Sequence, residues 1–149
     1  DLEGARKELA EAIRLDPSMA EAHYTLGITL WQAGDFEQTA AEMREAVRIR
    51  PDYAAAHYML GTALKQKGDL DEAVRSLREA IRLDPLDPGP HNLMGQILRI
   101  KGDAEASREA FAEGARLKAA KEAEQSKMLS GGSTKASQSE KGREQKQRR

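Results

Sequence analysis

Apolar and small residues recur along this chain at helical spacing, in segments separated by short polar turns. The segment from Ala20 to about Gln32 carries them on one face and ends at Gly34, a residue typical of a left-handed helix terminus. Asp35 follows, and its carboxylate is placed to accept the unpaired N–H groups of a second helix, Phe36 to about Ile49. Pro51 stops that helix because proline has no N–H. The pattern therefore predicts a helix, a two-residue turn, a second helix and a proline stop.

This plan returns every 34 residues. The interval separates three kinds of marker: His23, His57 and His91; Gly34-Asp35, Gly68-Asp69 and Gly102-Asp103; and Pro17, Pro51 and Pro85. A period of about 20–50 residues is typical of a solenoid, in which each unit buries its apolar face against its neighbours. In the second copy, Asp69 followed by Glu72 predicts a capping box. The sequence thus predicts an all-α fold built from repeated helix pairs.

The three copies in register resemble the tetratricopeptide repeat family over about residues 1–118. The resemblance is carried by Leu26-Gly27, Leu60-Gly61 and Met94-Gly95 in the first helices, by Ala46, Ala80 and Gly114 in the second helices, and by the proline stops. Small residues at these places indicate close helix packing. Two local departures are Thr39 in place of an alanine and Pro88-Gly89-Pro90 in place of Ala54-Ala55-Ala56. The resemblance implies an α-solenoid of antiparallel helix pairs closed by a C-terminal solvating helix.

The repeat period also predicts where the units begin and end. Residues 1–17 are expected to form the second helix of a truncated repeat, because Asp1 aligns with Asp35, and the chain is interpreted as the C-terminal part of a longer protein. Complete repeats are expected at 20–53, 54–87 and 88–118. Ala119 stands where a proline stop would fall, so a continuing, capping helix is predicted over 119–129. Ser130 to Ser133 should break it, and residues 130–149 are predicted to form a disordered basic tail.

Charge changes this picture at the C-terminal end. Residues 119–149 hold eight Lys/Arg and four Asp/Glu, so this part carries +4 and the remainder −5. Glutamates interrupt the basic residues and no aromatic residue is present to stack on bases, which favours a solubilising tail over nucleic-acid or membrane binding. No apolar run approaches the roughly 20 residues that a membrane span needs. The cellular compartment stays open.

The candidate chemistry of the repeats is sparse. The three histidines sit on successive units, roughly 10 Å apart by ordinary helix packing, whereas a metal needs ligands at about 2 Å. A structural role, filling a slot where the first helix packs on its partner, is favoured over metal binding. The chain has no cysteine and no serine in a nucleophile motif. Most carboxylates are interpreted as solvated helix pairs such as Glu45 with Arg48. We therefore expect no catalytic residue, no metal and no cofactor.

The resemblance also implies a concave groove lined by the first helices. Residues at i, i+4 and i+7 share a helical face, and the groove residues implied are Tyr24, Ile28, Trp31, Tyr58, Thr62, Lys65, Asn92, Gln96 and Arg99. Tyrosine, tryptophan and arginine are the residues enriched at binding hot spots. An alternative for the two tyrosines is that they pack against the next repeat. The Lys and Asn residues by which chaperone-binding members hold a peptide carboxylate are absent at the corresponding positions.

The sequence therefore predicts a protein–protein interaction scaffold that binds a peptide or partner segment in this groove. A first alternative is a non-catalytic region of a larger enzyme or membrane-anchored protein. A second is a self-association module, because the truncated first unit should leave an apolar face without its partner helix. That face comprises Leu2, Ala5, Leu9, Ala12 and Ile13.

Overall fold

The structure, a computed structural model, describes the secondary structure of residues 1–147 and the side chains of residues 1–130. The secondary structure over that range is helical, in seven elements: α1 (Leu2–Leu15), α2 (Ala20–Gln32), α3 (Phe36–Ile49), α4 (Ala54–Lys67), α5 (Leu70–Leu83), α6 (Pro88–Ile100) and α7 (Ala104–Gln147). The helices α2 and α3, α4 and α5, and α6 and α7 pack as pairs, and α3 against α4 and α5 against α6 join the pairs. The predicted all-α solenoid is confirmed.

Each first helix carries a glycine at the point where its partner helix comes closest. A Cβ added to Gly27, Gly61 or Gly95 would lie 2.6 Å from Met43 Cε, 2.8 Å from Leu77 Cγ and 2.9 Å from the ring of Phe111, respectively. Real Cβ atoms essentially never come this close to other atoms, so Gly61 and Gly95 are needed for the helices to touch, whereas at Gly27 the flexible end of Met43 can move aside. The large residue opposite each glycine fills the space that the missing side chain leaves.

The turns between paired helices behave as the sequence predicts, with one exception. Gly34, Gly68 and Gly102 have positive φ angles of 80–85°, the left-handed geometry that glycine adopts without strain. Asp35 caps α3 by accepting a hydrogen bond from Gln38 N at 3.1 Å.

The predicted capping box at Asp69 and Glu72 is wrong. The Asp69 side chain makes no hydrogen bond to the first turn of α5 and instead pairs with Lys67 Nζ at 3.1 Å. Glu72 turns away to accept two hydrogen bonds from Arg44 of the preceding repeat, at 3.0 and 2.9 Å. A bidentate guanidinium is a stronger partner for a carboxylate than one backbone N–H, so the ion pair prevails.

The core is one hydrophobic cluster that runs through the helix interfaces from α3 to α6. Leu64, Leu77 and Ile97 are fully buried at its centre. Thr39, which departs from the repeat's usual alanine, is fully buried and its hydroxyl donates to Asp35 O at 2.8 Å. The equivalent Ser107 donates to Gly95 O at 2.8 Å and so ties α7 to α6. Hydroxyls are tolerated at this buried position because each has a backbone acceptor.

The two ends of the array differ from its centre. Helix α1 packs on α2, but none of its residues is fully buried. Helix α7 passes through Ala119 without a break, and Leu117 is the last buried residue among its described side chains. The assigned helix runs beyond Leu129. Helix α7 continues through positions 130–133 to Gln147, so the predicted break is absent. The disordered basic tail over residues 130–149 stays a prediction. Within the described residues, no helix is both long and apolar enough to cross a membrane.

Candidate binding groove

The nine groove residues expected from the sequence lie on α2, α4 and α6, three on each helix. Eight of them are half-buried, and Arg99 is exposed. A side-chain hydrogen bond joins neighbouring helices across this face: Lys65 Nζ donates to Gln96 Oε1 at 2.6 Å. The helices α4 and α6 also touch each other directly. The stripes of the second and third repeats therefore lie side by side.

At the N-terminal end of α2, Tyr24 packs against the next repeat. Its ring centroid is 5.0 Å from that of Tyr53, the residue before α4, with an angle of 32° between the rings. Arg50 lies over the Tyr53 ring, with Cζ 3.5 Å from the centroid, and forms an ion pair with Glu21. Burial raises the pKa of Tyr24, and nearby Tyr53 adds to the effect. The inter-repeat packing proposed as an alternative for Tyr24 is thus present.

Tyr58 holds the same position in the second repeat and leans towards the start of α6. A Cβ on Gly89 would lie 3.1 Å from Tyr58 Cζ and 3.2 Å from its hydroxyl oxygen. The replacement of an alanine by Gly89 therefore gives the Tyr58 ring room. Burial raises the pKa of Tyr58, and the carboxylate of Asp87 raises it further. The phenol and this carboxylate consequently face a common space.

That space is a cavity of about 420 Å³ at the N-terminal edge of the groove. Its polar and aromatic lining comes from Tyr24, Tyr53, Tyr58, Asp84 and Asp87. Its apolar walls come from Ala54, Ala55, Met59, Ala80 and Pro90. Three of these residues, Tyr53, Asp84 and Asp87, were missed by sequence reasoning. They stand in the turns next to Pro51 and Pro85, where the residue types indicate only a turn.

Trp31 is half-buried at the other end of α2. Its ring packs against Phe36, the first residue of α3, with centroids 4.8 Å apart and an angle of 52°. Ile28 and Trp31 also border the central hydrophobic cluster. One side of the Trp31 ring therefore contributes to packing within the repeat.

The edge of the groove formed by the C-terminal ends of α4 and α6, opposite the cavity, is basic. Lys65 and Arg99 are its cations, and the guanidinium of Arg99 lies 5.8 Å from the Phe111 centroid. The Asn92 amide lies against α7, since a Cβ on Gly114 would come within 2.2 Å of its Oδ1. The Thr62 hydroxyl donates a hydrogen bond to Tyr58 O at 2.9 Å. The groove thus has an aromatic, acidic edge and a basic edge.

Two of the three histidines, His23 and His57, are hydrogen-bonded within the repeats. His23, 7% exposed, lies with Nδ1 2.7 Å from Glu42 Oε2 and with Nε2 3.2 Å from Pro17 O. His57 repeats the second contact, with Nε2 2.8 Å from Pro51 O. These contacts tie the first helix to its partner helix and to the preceding turn. Among the residues with described side chains, no cluster of three His, Cys, Asp or Glu could hold a metal ion.

A second, larger cavity of about 730 Å³ lies between the α5–α6 turn and α7. Leu86 and Met128 on its walls are 72% and 70% exposed. None of the nine predicted groove residues lines it. Asp84 and Asp87 line both cavities, so the larger one adjoins the acidic edge of the groove at the α5–α6 turn.

Comparison with known proteins agrees with this architecture. Two models of the tetratricopeptide repeat match the chain, one over residues 30–97 and one over residues 1–54. A crystal structure of MamA aligns with a TM-score of 0.78 and 22% identity, covering 80% of this chain and 70% of that chain. MamA 41-end from Desulfovibrio magneticus RS-1 aligns with a TM-score of 0.75 and 23% identity, covering 80% and 68%. No curated protein matches the sequence. At these identities the likeness to MamA shows the fold alone.

Proposed function

Because the chain belongs to the tetratricopeptide repeat family, whose members act as protein-interaction scaffolds, we propose that it binds an extended or helical partner segment across α2, α4 and α6. The observation that carries this proposal is the arrangement of half-exposed side chains on one face of these helices. Lys65 and Gln96 are in direct contact across it, so a ligand could touch adjacent repeats together. A non-catalytic role is part of the proposal.

The binding energy would concentrate on a few large side chains. Trp31 and Tyr58 are half-buried, so each ring is held in place by the fold while part of it remains accessible. Such rings lose little conformational freedom on binding and supply large contact areas, which is typical of interface anchors. The smaller and polar residues between them, such as Thr62, would contribute mainly shape.

The two edges of the groove would orient the partner. Lys65 and Arg99 at one edge attract acidic groups, while Asp84 and Asp87 at the other attract basic groups. Opposite charges on the two edges favour one direction of a bound segment over its reverse, because the reversed segment brings like charges together. Exposed charges such as Arg99 would act mainly on the association rate and would be screened by salt.

A peptide-display selection on the full chain tests the proposal. Trp31 is the only tryptophan, so its fluorescence reports on ligands at the groove. We expect selected peptides to shift the Trp31 emission and to bind Tyr58→Ala and Lys65→Ala at least fivefold more weakly. Lys118→Ala is the matched control, because Lys118 is an exposed lysine on α7. Peptides that bind all three variants as they bind the wild type would place the interaction outside the groove and overturn the proposal.

Self-association is a second candidate function, favoured by exposed apolar residues near both ends of the array. Leu15 in α1 is 70% exposed, and Leu129 in α7 is 77% exposed. Apolar side chains left open at the ends of a repeat array can pair with a second copy. Analytical ultracentrifugation at rising concentration tests this, with Leu15→Glu and Leu129→Glu expected to restore a monomer. A wild-type chain that stays monomeric would exclude it.

A further inference from the structure

We propose that the cavity between Tyr24, Tyr58 and Asp87 receives the guanidinium group of an arginine carried by the partner segment. This rests on the proposed groove function and names the chemistry of one contact within it. The cavity opens at the groove's aromatic edge and measures about 420 Å³. This volume lies at the lower end of the range for small-ligand sites, about 300–1,000 Å³. It therefore suits one side chain better than a whole folded element.

Aromatic faces make the cavity attractive to a cation. Three of its lining residues are tyrosines, and the face of an aromatic ring is the negative end of its quadrupole. The structure already contains one such contact beside the cavity, because the guanidinium of Arg50 lies 3.5 Å from the Tyr53 centroid. Arg50 is paired with Glu21, so its charge is compensated and does not repel a second guanidinium strongly.

The two carboxylates give the cavity a net negative charge. Asp84 Oδ1 accepts from Leu86 N at 3.3 Å, and Asp87 Oδ1 accepts from Gly89 N at 2.9 Å. Neither forms an ion pair with a basic residue among the side chains at positions 1–130. Neighbouring carboxylates on α5 do form such pairs: Asp71 with Lys101, Glu72 with Arg44 and Glu79 with Arg82. Asp84 and Asp87, which also line the larger cavity near Lys121 and Glu124, thus have no ion-pair partner among these side chains and are available to a further cation.

The helix N-termini at this edge favour anions, but they do not make the net charge of the cavity positive. The N-terminus of α4 contributes about half a positive charge, against two full negative charges on the aspartates. The N-terminus of α6, which Asp87 caps, contributes about another half charge, so the balance at this edge stays negative. An acidic or phosphorylated group would therefore meet net repulsion here. A planar guanidinium can stack on a ring and donate a fork of hydrogen bonds to a carboxylate at once, which a lysine ammonium cannot.

Titration of the labelled full chain with N-acetyl-arginine methylamide, followed by NMR, tests the inference. The neutral control probe is N-acetyl-citrulline methylamide, which has nearly the same shape. We expect the arginine probe to shift the ring signals of Tyr24, Tyr53 and Tyr58 in a saturable manner, and the citrulline probe to bind at least fivefold more weakly. Equal binding of the two probes, or no shift of these rings by either probe, would overturn the proposal.

Matched variants test whether the charges of Asp84 and Asp87 bind the arginine probe. Asp84→Asn/Asp87→Asn removes both negative charges but preserves the size of the side chains, and asparagine caps a helix as well as aspartate does. This variant should weaken arginine-probe binding at least fivefold. Asp16→Asn is the control: Asp16 holds the same repeat position as Asp84 and makes the same kind of turn hydrogen bond, to Ser18 N, but lies outside the cavity. An equal loss in Asp16→Asn, or no loss in the double variant, would contradict the assignment.

The probe experiment and the peptide experiment can fail separately. Peptides that shift Trp31 emission while the arginine probe leaves the tyrosines unchanged would remove the guanidinium site and keep the groove. If the arginine probe binds saturably but the selected peptides bind Tyr58→Ala and Lys65→Ala as they bind the wild type, the guanidinium site stands and the groove proposal fails.

Discussion

The two faces of the first helices follow different rules. On the buried face, the residues of α2, α4 and α6 nearly repeat: Leu26, Leu60 and Met94 are buried, and so are the glycines that follow them. On the groove face, the same register holds Tyr24, Tyr58 and Asn92, then Ile28, Thr62 and Gln96, then Trp31, Lys65 and Arg99. Both faces belong to the same helices, so helix propensity does not explain the difference.

The contrast separates what the fold needs from what it leaves free. A buried position must match the shape of its partner helix, and a large apolar residue faces the glycine at the same position in every repeat, as Gly61 against Leu77 illustrates. A groove position is only half-buried, so several side chains of different chemistry satisfy it. Variation is therefore possible on the groove face, and it is there that a partner could be distinguished.

The largest expected effect tests the buried face. Gly61→Leu would place a side chain where a Cβ alone lies 2.8 Å from Leu77 Cγ and 3.3 Å from Ala73 O. We expect the free energy of unfolding to fall by roughly 1–3 kcal/mol, as for other overpacked cores. Urea unfolding followed by circular dichroism measures it. Thr62→Leu is the matched control, because it adds a leucine at the adjacent, half-buried groove position. Similar unfolding midpoints for the two variants would remove the distinction between the faces.

The next effect tests the groove face. Trp31→Ala should reduce the binding of selected peptides by roughly 2 kcal/mol, the scale of interface hot spots. It should also cost some stability, because one side of the ring packs on Phe36. Phe36→Ala separates these two roles, since it removes the same ring contact but leaves Trp31 in place. Isothermal titration calorimetry of both variants measures the affinities. Equal losses of affinity would mean that Trp31 acts through packing alone.

A smaller effect concerns residues that repeat but play different parts. Asp35 and Asp69 are equivalent in the period, yet only Asp35 accepts a hydrogen bond from the following helix. Asp35→Ala should therefore cost about 1 kcal/mol of stability, the usual loss of a helix cap. Asp69→Ala should cost clearly less. Thermal and urea unfolding of the pair measure the difference. Equal losses would show that repetition in the sequence is a better guide than the contact itself.

These cases show which features of the structure the sequence predicts and which it does not. The period predicts the helix pairs and the glycine turns, because they depend on residues that recur and on local backbone geometry. It does not predict which partner a carboxylate takes when two compete, so Glu72 was assigned to a cap and instead binds Arg44. The Tyr53, Asp84 and Asp87 side chains were missed for a related reason. Each is a turn residue by type, and only the packing of successive repeats brings them beside Tyr58.

The smallest expected effect concerns an exposed pair of a glutamate and an arginine that recurs in every repeat. Glu45, Glu79 and Glu113 each accept hydrogen bonds from the arginine three residues later. These bonds hold the pKa of each glutamate below its ordinary value, and the histidine of the same repeat lowers it slightly more. Because the folded pKa is depressed, the unfolded chain takes up protons first as the pH falls. The stabilisation is thus present above the unfolded pKa and is lost as the pH drops through the folded pKa.

Replacing these three glutamates by glutamine should flatten the acid side of the stability profile. We expect the wild-type melting temperature to fall more steeply than that of the variant between roughly pH 5 and pH 3, the window in which carboxylates titrate. Above about pH 6 the variant should melt slightly lower, because its arginines have lost their charged partners. Glu8→Gln/Glu105→Gln/Glu109→Gln is the control, since these glutamates lie exposed on α1 and α7. If the control flattens the profile equally, general carboxylate charge rather than the repeated pairs sets the acid sensitivity.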